Sequence, residues 1–237
     1  MLRPLRRSLR RELMDDPGAS PAELRVNLAD LRSINERWGG LRSTLSALES
    51  PLARWPRGRP LSILDVGCGG GDLLVALARE CRARGIPAQL VGVDCSRGIL
   101  TLARDATSPF AEIRLLRADA LELPFPEKSF DFVLCSLVLH HVPPEHSARF
   151  LRGLGLLCRE GVIVSDLRRG RLEYLLTLVF IRLFTHGSMS RTDGPLSVLR
   201  SLTLSEARDL TLAAGWTDPV VRKCFPMRLL LMNRDWS

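Results

Sequence analysis

The stretch Ile63-Leu64-Asp65-Val66-Gly67-Cys68-Gly69-Gly70-Gly71-Asp72 decides the fold of this 237-residue chain. It begins as an apolar run of the kind found in buried parallel strands, and it then breaks into glycines. From Asp72 onward the apolar residues recur at helical spacing. A strand, a tight turn and a helix start in this order predict the edge of an α/β sheet at which a nucleotide-like cofactor binds.

The spacing of the glycines excludes two common phosphate-binding loops. A dinucleotide fingerprint has a glycine at its sixth position, which counted from Gly67 is Asp72. A P-loop ends in Gly-Lys and then Ser or Thr, but this loop has no lysine. Because Asp65 and Asp72 flank the loop with negative charge, it disfavours a diphosphate and favours a ligand that carries a sulfonium and an ammonium group.

The loop resembles motif I of the class I S-adenosylmethionine (SAM) dependent methyltransferases. In that family the glycine turn lets the backbone approach the methionine part of SAM. The resemblance therefore implies SAM contacts from Gly67 and Gly69, with Asp65 near the ammonium group of the ligand; S-adenosylhomocysteine (SAH) would be the product. From the residues alone, Asp65 could instead accept backbone hydrogen bonds in a purely structural turn.

From residue 61 onward, strand-like and helix-like segments alternate, as a doubly wound, Rossmann-like α/β sheet requires. Only a few residues join the last two strands, which predicts an antiparallel hairpin. This is similar to the seven-stranded methyltransferase sheet with its reversed final strand. The predicted strands are 61–66, 89–94, 112–117, 130–136, 161–166, 217–222 and 226–232, and the predicted helices of this region are 72–84, 96–105, 145–158 and 204–214.

Two further segments are predicted around this sheet. Residues 1–60 show helical periodicity and no strand pattern, so we expect a helical N-terminal cap on a methyltransferase domain of residues 61–237. An insertion at 167–203 carries an apolar helix at 172–184 and then a loop at 185–195. We expect this insertion to form a roof over the substrate pocket, although its helix has the pattern of a core-packing helix as well.

The composition bears on possible partners. The net charge of +8 is almost entirely arginine, and most of it is interspersed with acids, so we expect no nucleic-acid partner. One basic segment, residues 1–13, has leucines spaced as in an amphipathic helix for a membrane or partner surface. A solvated terminus is the alternative. The six cysteines form no Cys-x-x-Cys pair, which indicates reduced thiols in a cytoplasmic protein.

Further cofactor contacts are expected at the ends of successive strands. Asp94 ends the second strand, where a carboxylate can accept both ribose hydroxyls. The resemblance implies that Asp119 or Ala120 meets the adenine edge, and that Ser136 and Leu137 line the methionine portion. The complete set of candidate cofactor residues is Asp65, Gly67, Gly69, Asp94, Cys95, Asp119, Ala120, Ser136 and Leu137.

The candidate catalytic residues are His140, His141 and Asp166. A hydroxyl attacks the methyl group well only as it loses its proton, and histidine is the usual base near neutral pH. The two histidines follow the fourth strand and Asp166 ends the fifth, so neighbouring strand ends can bring an imidazole and a carboxylate together. One histidine could instead pack structurally, and Asp166 could cap the chain. We expect no metal site.

These features favour O-methylation of a small hydrophobic acceptor. The arrangement resembles small-molecule O-methyltransferases, and Asp15-Asp16-Pro17, Asn35, Trp38-Gly39-Gly40 and Asp193-Gly194-Pro195-Leu196-Ser197 are similar to a bacterial group of polyketide and quinone tailoring in secondary metabolism. The resemblance implies a phenolic or quinone-like acceptor. C-methylation of a similar ring, or a SAM-binding or membrane-associated protein without catalysis, are the alternatives.

Overall fold

The computed structural model describes residues 5–16, 18–37 and 39–236. Pro17 and Trp38, which the sequence comparison used, therefore lie outside the described residues, as does the start of the basic segment. Seven strands form one sheet in the order β3-β2-β1-β4-β5-β7-β6. They are β1 (Leu61–Val66), β2 (Ala88–Asp94), β3 (Ile113–Arg117), β4 (Phe130–Ser136), β5 (Cys158–Leu167), β6 (Val220–Cys224) and β7 (Arg228–Met232).

The topology confirms the predicted fold class. The first five strands run parallel, and β7 pairs antiparallel with both β5 and β6. Eight α-helices are found in the described residues, and most bounds fall within two residues of their predictions. They are α1 (Pro21–Arg37), α2 (Gly40–Ala53), α3 (Asp72–Ala83), α4 (Arg97–Thr107), α5 (Pro144–Leu157), α6 (Arg171–Phe184), α7 (Ser188–Arg200) and α8 (Leu204–Ala213).

The core lies on both faces of the sheet, because successive side chains of a strand point to opposite sides. Leu64 and Val133 belong to the cluster that packs against α5 and α8. Their neighbours Ile63 and Phe132 belong to the cluster that packs against α2 and α3. With both faces covered, the carboxyl ends of the central strands remain as the edge at which a site can form.

The predicted loop at 185–195 is wrong, because most of it belongs to α7. Proline in a helix interior removes a hydrogen bond and predicts a break, and Pro195 lies inside this helix. The buried side chains of Met189, Leu196 and Val198 supply tertiary packing that outweighs this local cost. The insertion is therefore a pair of packed helices, α6 and α7.

The predicted amphipathic helix at the N-terminus is also wrong for residues 5–12, which are irregular and lead into a short 3₁₀ turn, Leu13–Asp15. Their polar groups bond to α7 instead of to a helix of their own. The Ser8 amide donates to the Leu199 carbonyl at 3.0 Å, and Arg7 Nε donates to the Arg200 carbonyl at 2.7 Å. Residues 5–16, called the N-terminal arm below, thus lie along α7 rather than fraying into solvent.

Helix α6 presents only part of its apolar surface to the interior. Thr177, Phe180 and Ile181 line the cavity beneath it. The exposed side chains on its outer face are Leu172, Leu175, Leu178, Val179 and Leu183. No helix of the described ranges is both long and apolar enough to cross a membrane.

Candidate active site

The glycine turn joins β1 to α3 and is held against β2. Gly67, Gly69 and Gly71 have φ values of +72°, +52° and +81°, which residues other than glycine rarely adopt. The Gly67 and Cys68 amides both donate to the Val93 carbonyl, at 2.7 and 2.9 Å. A Cβ atom on Gly67 would lie 2.1 Å from the side chain of Val138. The turn therefore needs glycine for both its backbone conformation and its close packing.

Asp94 organises the same turn from the end of β2. Its two carboxylate oxygens accept the Gly69 amide at 3.2 Å and the Ser96 amide at 2.9 Å. Burial raises the pKa of Asp94, and these amide donors oppose the rise. Asp94 lies at the end of β2, as predicted, and its contact with a ribose stays a prediction; Cys95 beside it is exposed.

Asp65 provides the clearest fit to SAM. It is 2% exposed, and its Oδ1 atom has no hydrogen-bond partner in the described residues. Burial, together with repulsion from Asp94, raises the pKa of Asp65 to about 7. An unpaired buried carboxylate is costly, whereas an ammonium group beside it would neutralise the charge and supply the missing donors. The turn thus suits a ligand with the positive charge of SAM.

The remaining cofactor candidates lie at the neighbouring strand ends. Asp119 is exposed, and its Oδ1 accepts the Leu121 amide at 2.9 Å, which is the turn-forming role of this residue type. Ala120 is partly buried beside it. Ser136 ends β4, and Leu137 follows with a positive φ of +59° while its amide donates to the Ser165 carbonyl. Their ligand contacts stay predictions.

His140 and Asp166 meet as the sequence predicted. His140 Nδ1 lies 2.6 Å from Asp166 Oδ1, and the His140 amide donates to Oδ2 at 2.9 Å. Burial alone would raise the pKa of Asp166, but the His140 charge and the hydrogen bonds from His140 and Leu167 lower it overall. A carboxylate held on Nδ1 orients the imidazole and leaves Nε2 as the atom that can accept a proton.

The N-terminal arm brings two carboxylates to these histidines that the sequence did not indicate. Glu12 is 3% exposed, and its oxygens lie 3.6 Å from His140 Nε2 and 3.8 Å from His141 Nε2. Asp15 Oδ1 lies 2.9 Å from His141 Nδ1. In the sequence, Glu12 stands out only as an acid within a basic segment. Its contact with His140 could not be predicted, because 128 residues separate the two.

The Glu12, His140 and His141 side chains place their donor atoms within 4.8 Å of one another, which is a set that can bind a metal ion. However, Arg200 Nε lies 3.6 Å from the same Glu12 oxygen that faces His140. A guanidinium so close to this oxygen opposes a second cation. We therefore interpret the cluster as a proton-sharing group, and the absence of a metal stays a prediction.

A cavity opens beside the histidines, beneath α6 and α7. His140 and His141 line it; most of its surface is apolar, although about half of its lining residues are polar or charged. The apolar lining residues are Met14, Leu31, Ile34, Leu137, Leu167, Phe180, Ile181 and Met227. His186, between α6 and α7, has a side chain that is 91% exposed, and it is absent from the lining. The cavity has the character of a small-molecule pocket with two imidazoles at one wall.

The comparisons with known proteins agree with this geometry. The family described as "Methyltransferase domain" matches residues 63–161, which include the glycine turn, Asp94 and both histidines. Residues 63–161 are therefore similar to a methyltransferase domain. The demethylmenaquinone methyltransferase of Bacillus licheniformis is 39% identical to it over 92 residues, 39% of this chain and 38% of that protein. That of Staphylococcus aureus is 36% identical over 83 residues, 35% of this chain and 33% of that protein.

The chain thus matches little more than a third of the length of these curated relatives. Solved structures with the methyltransferase fold cover far more of it. A SAM-dependent methyltransferase from Aquifex aeolicus aligns with a TM-score of 0.62 at 14% identity, over 90% of this chain and 97% of that one. The plantazolicin methyltransferase BpumL aligns with a TM-score of 0.68 at 17% identity, over 93% and 92%. At such identities these likenesses show the fold.

Glu12 makes the stability of the protein depend on pH. Burial raises the pKa of Glu12 from about 4.5 to about 7, so the folded protein holds this proton more tightly than the unfolded chain. Stability is therefore lost as the pH rises through this interval. Above pH 7, Glu12→Gln should therefore be more stable than the wild type, with a free energy of unfolding higher by on the order of 3 kcal/mol and a higher unfolding temperature. The difference should vanish near pH 4.

Thermal unfolding between pH 4 and pH 8 measures this difference. The exposed Glu49→Gln is the matched control and should follow the wild type throughout. If Glu12→Gln and the wild type keep a constant difference over this range, the Glu12 carboxyl does not titrate as its burial requires.

Proposed function

We propose that the protein transfers a methyl group from SAM to a hydroxyl of a small apolar acceptor. One observation carries the proposal: the His140–Asp166 pair is buried at the wall of an apolar cavity, and Val138, two residues before His140, packs against Gly67 of the glycine turn. Oxygen acceptors need a base, whereas binding SAM alone would not require a carboxylate-oriented imidazole in that wall.

The cofactor site is assigned to the turn and its neighbouring acids. We place the ammonium group of SAM at Asp65, because its buried Oδ1 atom has no hydrogen-bond partner among the described residues. We place the ribose at Asp94 and the methionine portion at the backbone of Gly67 and Gly69; a Cβ atom on Gly69 would have no neighbour within 4 Å, which leaves space for a ligand there. SAM supplies a methyl group on a sulfonium, and the residues of the chain bind and orient the two reactants.

The chain contributes orientation, exclusion of water and proton transfer. The cavity wall holds the acceptor with its hydroxyl towards His140, and the N-terminal arm, α6 and α7 separate it from solvent. His140 Nε2 takes the hydroxyl proton as the oxygen–carbon bond forms and the carbon–sulfur bond breaks. Asp166 stabilises the resulting imidazolium. The products are a methyl ether, SAH and a proton released from His140.

The class of acceptor is proposed from the cavity and the relatives together. Aliphatic side chains with Phe180 and two methionines suit a phenolic, polyketide or quinone-like ring. The curated relatives are demethylmenaquinone methyltransferases, which is consistent with a quinone-like acceptor. All six cysteines are unpaired, and on this observation we propose a cytoplasmic site of action.

The proposal is tested by matched acceptors. Alkylphenols and hydroxyquinones are each offered beside the same compound with its hydroxyl already methylated, and SAH release is measured. We expect SAH only from compounds with a free hydroxyl. Equal release from the blocked compounds would indicate methylation of carbon, and no release from any compound in the presence of bound SAM would favour a binding protein without catalysis.

A further inference from the structure

Arg228 is a buried cation in the wall of the cavity that nothing described so far uses. It begins β7, is 5% exposed and lies beside Leu167 of β5 in the sheet register. Its Nη2 atom donates to Asn35 Oδ1, whereas its Nη1 atom has no hydrogen-bond partner among the described residues. The side chain therefore offers an unsatisfied donor in the lining of the acceptor cavity.

Two other buried arginines, in contrast to Arg228, face carboxylates. Arg169 is bonded to the Glu206 carboxylate and to the Ser201 carbonyl. Arg200 is bonded to the His140 carbonyl and faces the Glu12 carboxylate. A buried guanidinium without such an anion is costly, because burial removes its hydration without replacing it. Arg228 has one amide oxygen where the other two have carboxylates and carbonyls.

The carboxylates nearest to the cavity already face other groups. Glu12 lies 3.6 Å from both Arg200 Nε and His140 Nε2. Asp193 accepts the Leu13 and Met14 amides at 2.9 and 3.0 Å. Asp166 is engaged by His140, and it acts on Arg228 only through its charge, which opposes the lowering of the Arg228 pKa by burial. None of these three carboxylates forms a hydrogen bond or an ion pair with Arg228, so the charge of Arg228 is left for a bound molecule to neutralise.

The surroundings of Arg228 hold it in place. A Cβ atom on Gly40, at the start of α2, would lie 2.5 Å from Asn35 Oδ1 and 2.7 Å from Arg228 Nη2. The glycine thus leaves the space in which the amide of Asn35 and the guanidinium meet. One edge of the guanidinium is fixed by Asn35, and the free nitrogen remains for a ligand.

We propose that Arg228 binds a carboxylate on the acceptor, so that the cavity selects apolar hydroxylated acids over the corresponding neutral phenols. A guanidinium pairs with a carboxylate through parallel hydrogen bonds, which fix orientation as well as charge. Arg228 pairs in the sheet register with Leu167, the residue after Asp166, and Asp166 contacts His140, so the carboxylate lies at the His140 end of the cavity. This inference rests on the proposed acceptor role of the cavity and names its substrate class.

The test measures binding rather than turnover. Calorimetry compares an alkylated hydroxybenzoic acid with the alkylphenol that lacks only the carboxylate, using the full chain saturated with SAH. Because a hydrogen bond to a charged group contributes more than a neutral one, we expect the wild type to bind the acid about 10- to 100-fold more tightly. Arg228→Gln should reduce this ratio to about one, and Arg228→Lys should retain part of it.

Two further variants guard against a trivial result. Arg182→Gln removes an exposed arginine from α6 and should leave the ratio unchanged. Asn35→Ala frees the Arg228 side chain without removing its charge, and should lower the ratio less than Arg228→Gln. A folded Asn35→Ala protein keeps the test valid if Arg228→Gln does not fold.

Several outcomes would overturn the inference. They are equal binding of acid and phenol by the wild type, no binding of either, or an equal loss for both ligands in Arg228→Gln. A further possibility is that Arg228→Gln weakens SAM but not methylthioadenosine, which lacks the amino-acid carboxylate; Arg228 would then serve the cofactor. Discrimination between acid and phenol without any methyl transfer would contradict the proposed function and leave this inference standing.

Discussion

His140→Ala should lower the rate of methyl transfer by about a hundredfold to ten-thousandfold, which is the usual contribution of a positioned general base. The variant loses the imidazole whose Nδ1 atom is hydrogen-bonded to the Asp166 side chain. Its affinity for SAM should stay within about twofold of the wild type, because the binding energy of the cofactor comes from other groups. Rates at saturating acceptor and SAM titrations measure the two effects separately.

Asp166→Asn and His186→Ala accompany this variant. Asp166→Asn keeps the shape of the side chain but removes the charge that stabilises an imidazolium, so it should lose most of the same activity. His186 is exposed and outside the cavity lining, and its replacement should leave the rate unchanged. A His140→Ala enzyme with wild-type turnover would show that the acceptor needs no base from this residue.

Asp94→Ala should weaken SAM binding by about a hundredfold or more. Two hydrogen bonds from ribose hydroxyls to a charged carboxylate contribute about 1.5–3 kcal/mol each. The same carboxylate also holds the amides of Gly69 and Ser96, so its loss loosens the turn itself. Calorimetric titration of SAM and of SAH measures the effect without an acceptor.

Asp119→Ala is the matched control, because this acid also follows a strand but is exposed and accepts only the Leu121 amide. We expect its loss of SAM affinity to be no more than about tenfold, the effect of one exposed hydrogen bond. Equal losses in the two variants would contradict the assignment of the ribose to Asp94.

The central part of the fold could be predicted because its signals are local. Strand β1, the glycine turn and the start of α3 lie within twelve neighbouring residues, and parallel strands bring their carboxyl ends to one edge of the sheet whatever the loops do. For the same reason the meeting of His140 with Asp166 followed from two adjacent strand ends. These elements depend on backbone geometry that a short stretch of sequence already specifies.

The roof and the arm depended instead on contacts between distant parts of the chain. Pro195 indicated a loop, and only the packing of α7 against its surroundings reversed that prediction. The N-terminal arm has leucines at helical spacing, but its backbone forms hydrogen bonds with α7. This position brings Glu12 to the histidines. Arg228 gave no signal at all, because an arginine at a strand start is ordinarily exposed.

The position of the transferred methyl group tests the central claim most directly. The protein is incubated with an alkylated phenolic acceptor and SAM labelled with ¹³C in its methyl group, and NMR of the isolated product locates the label. We predict a label on oxygen in the wild-type product and almost none after the same time with His140→Ala. A label on a ring carbon, formed at equal rates by both proteins, would contradict the account.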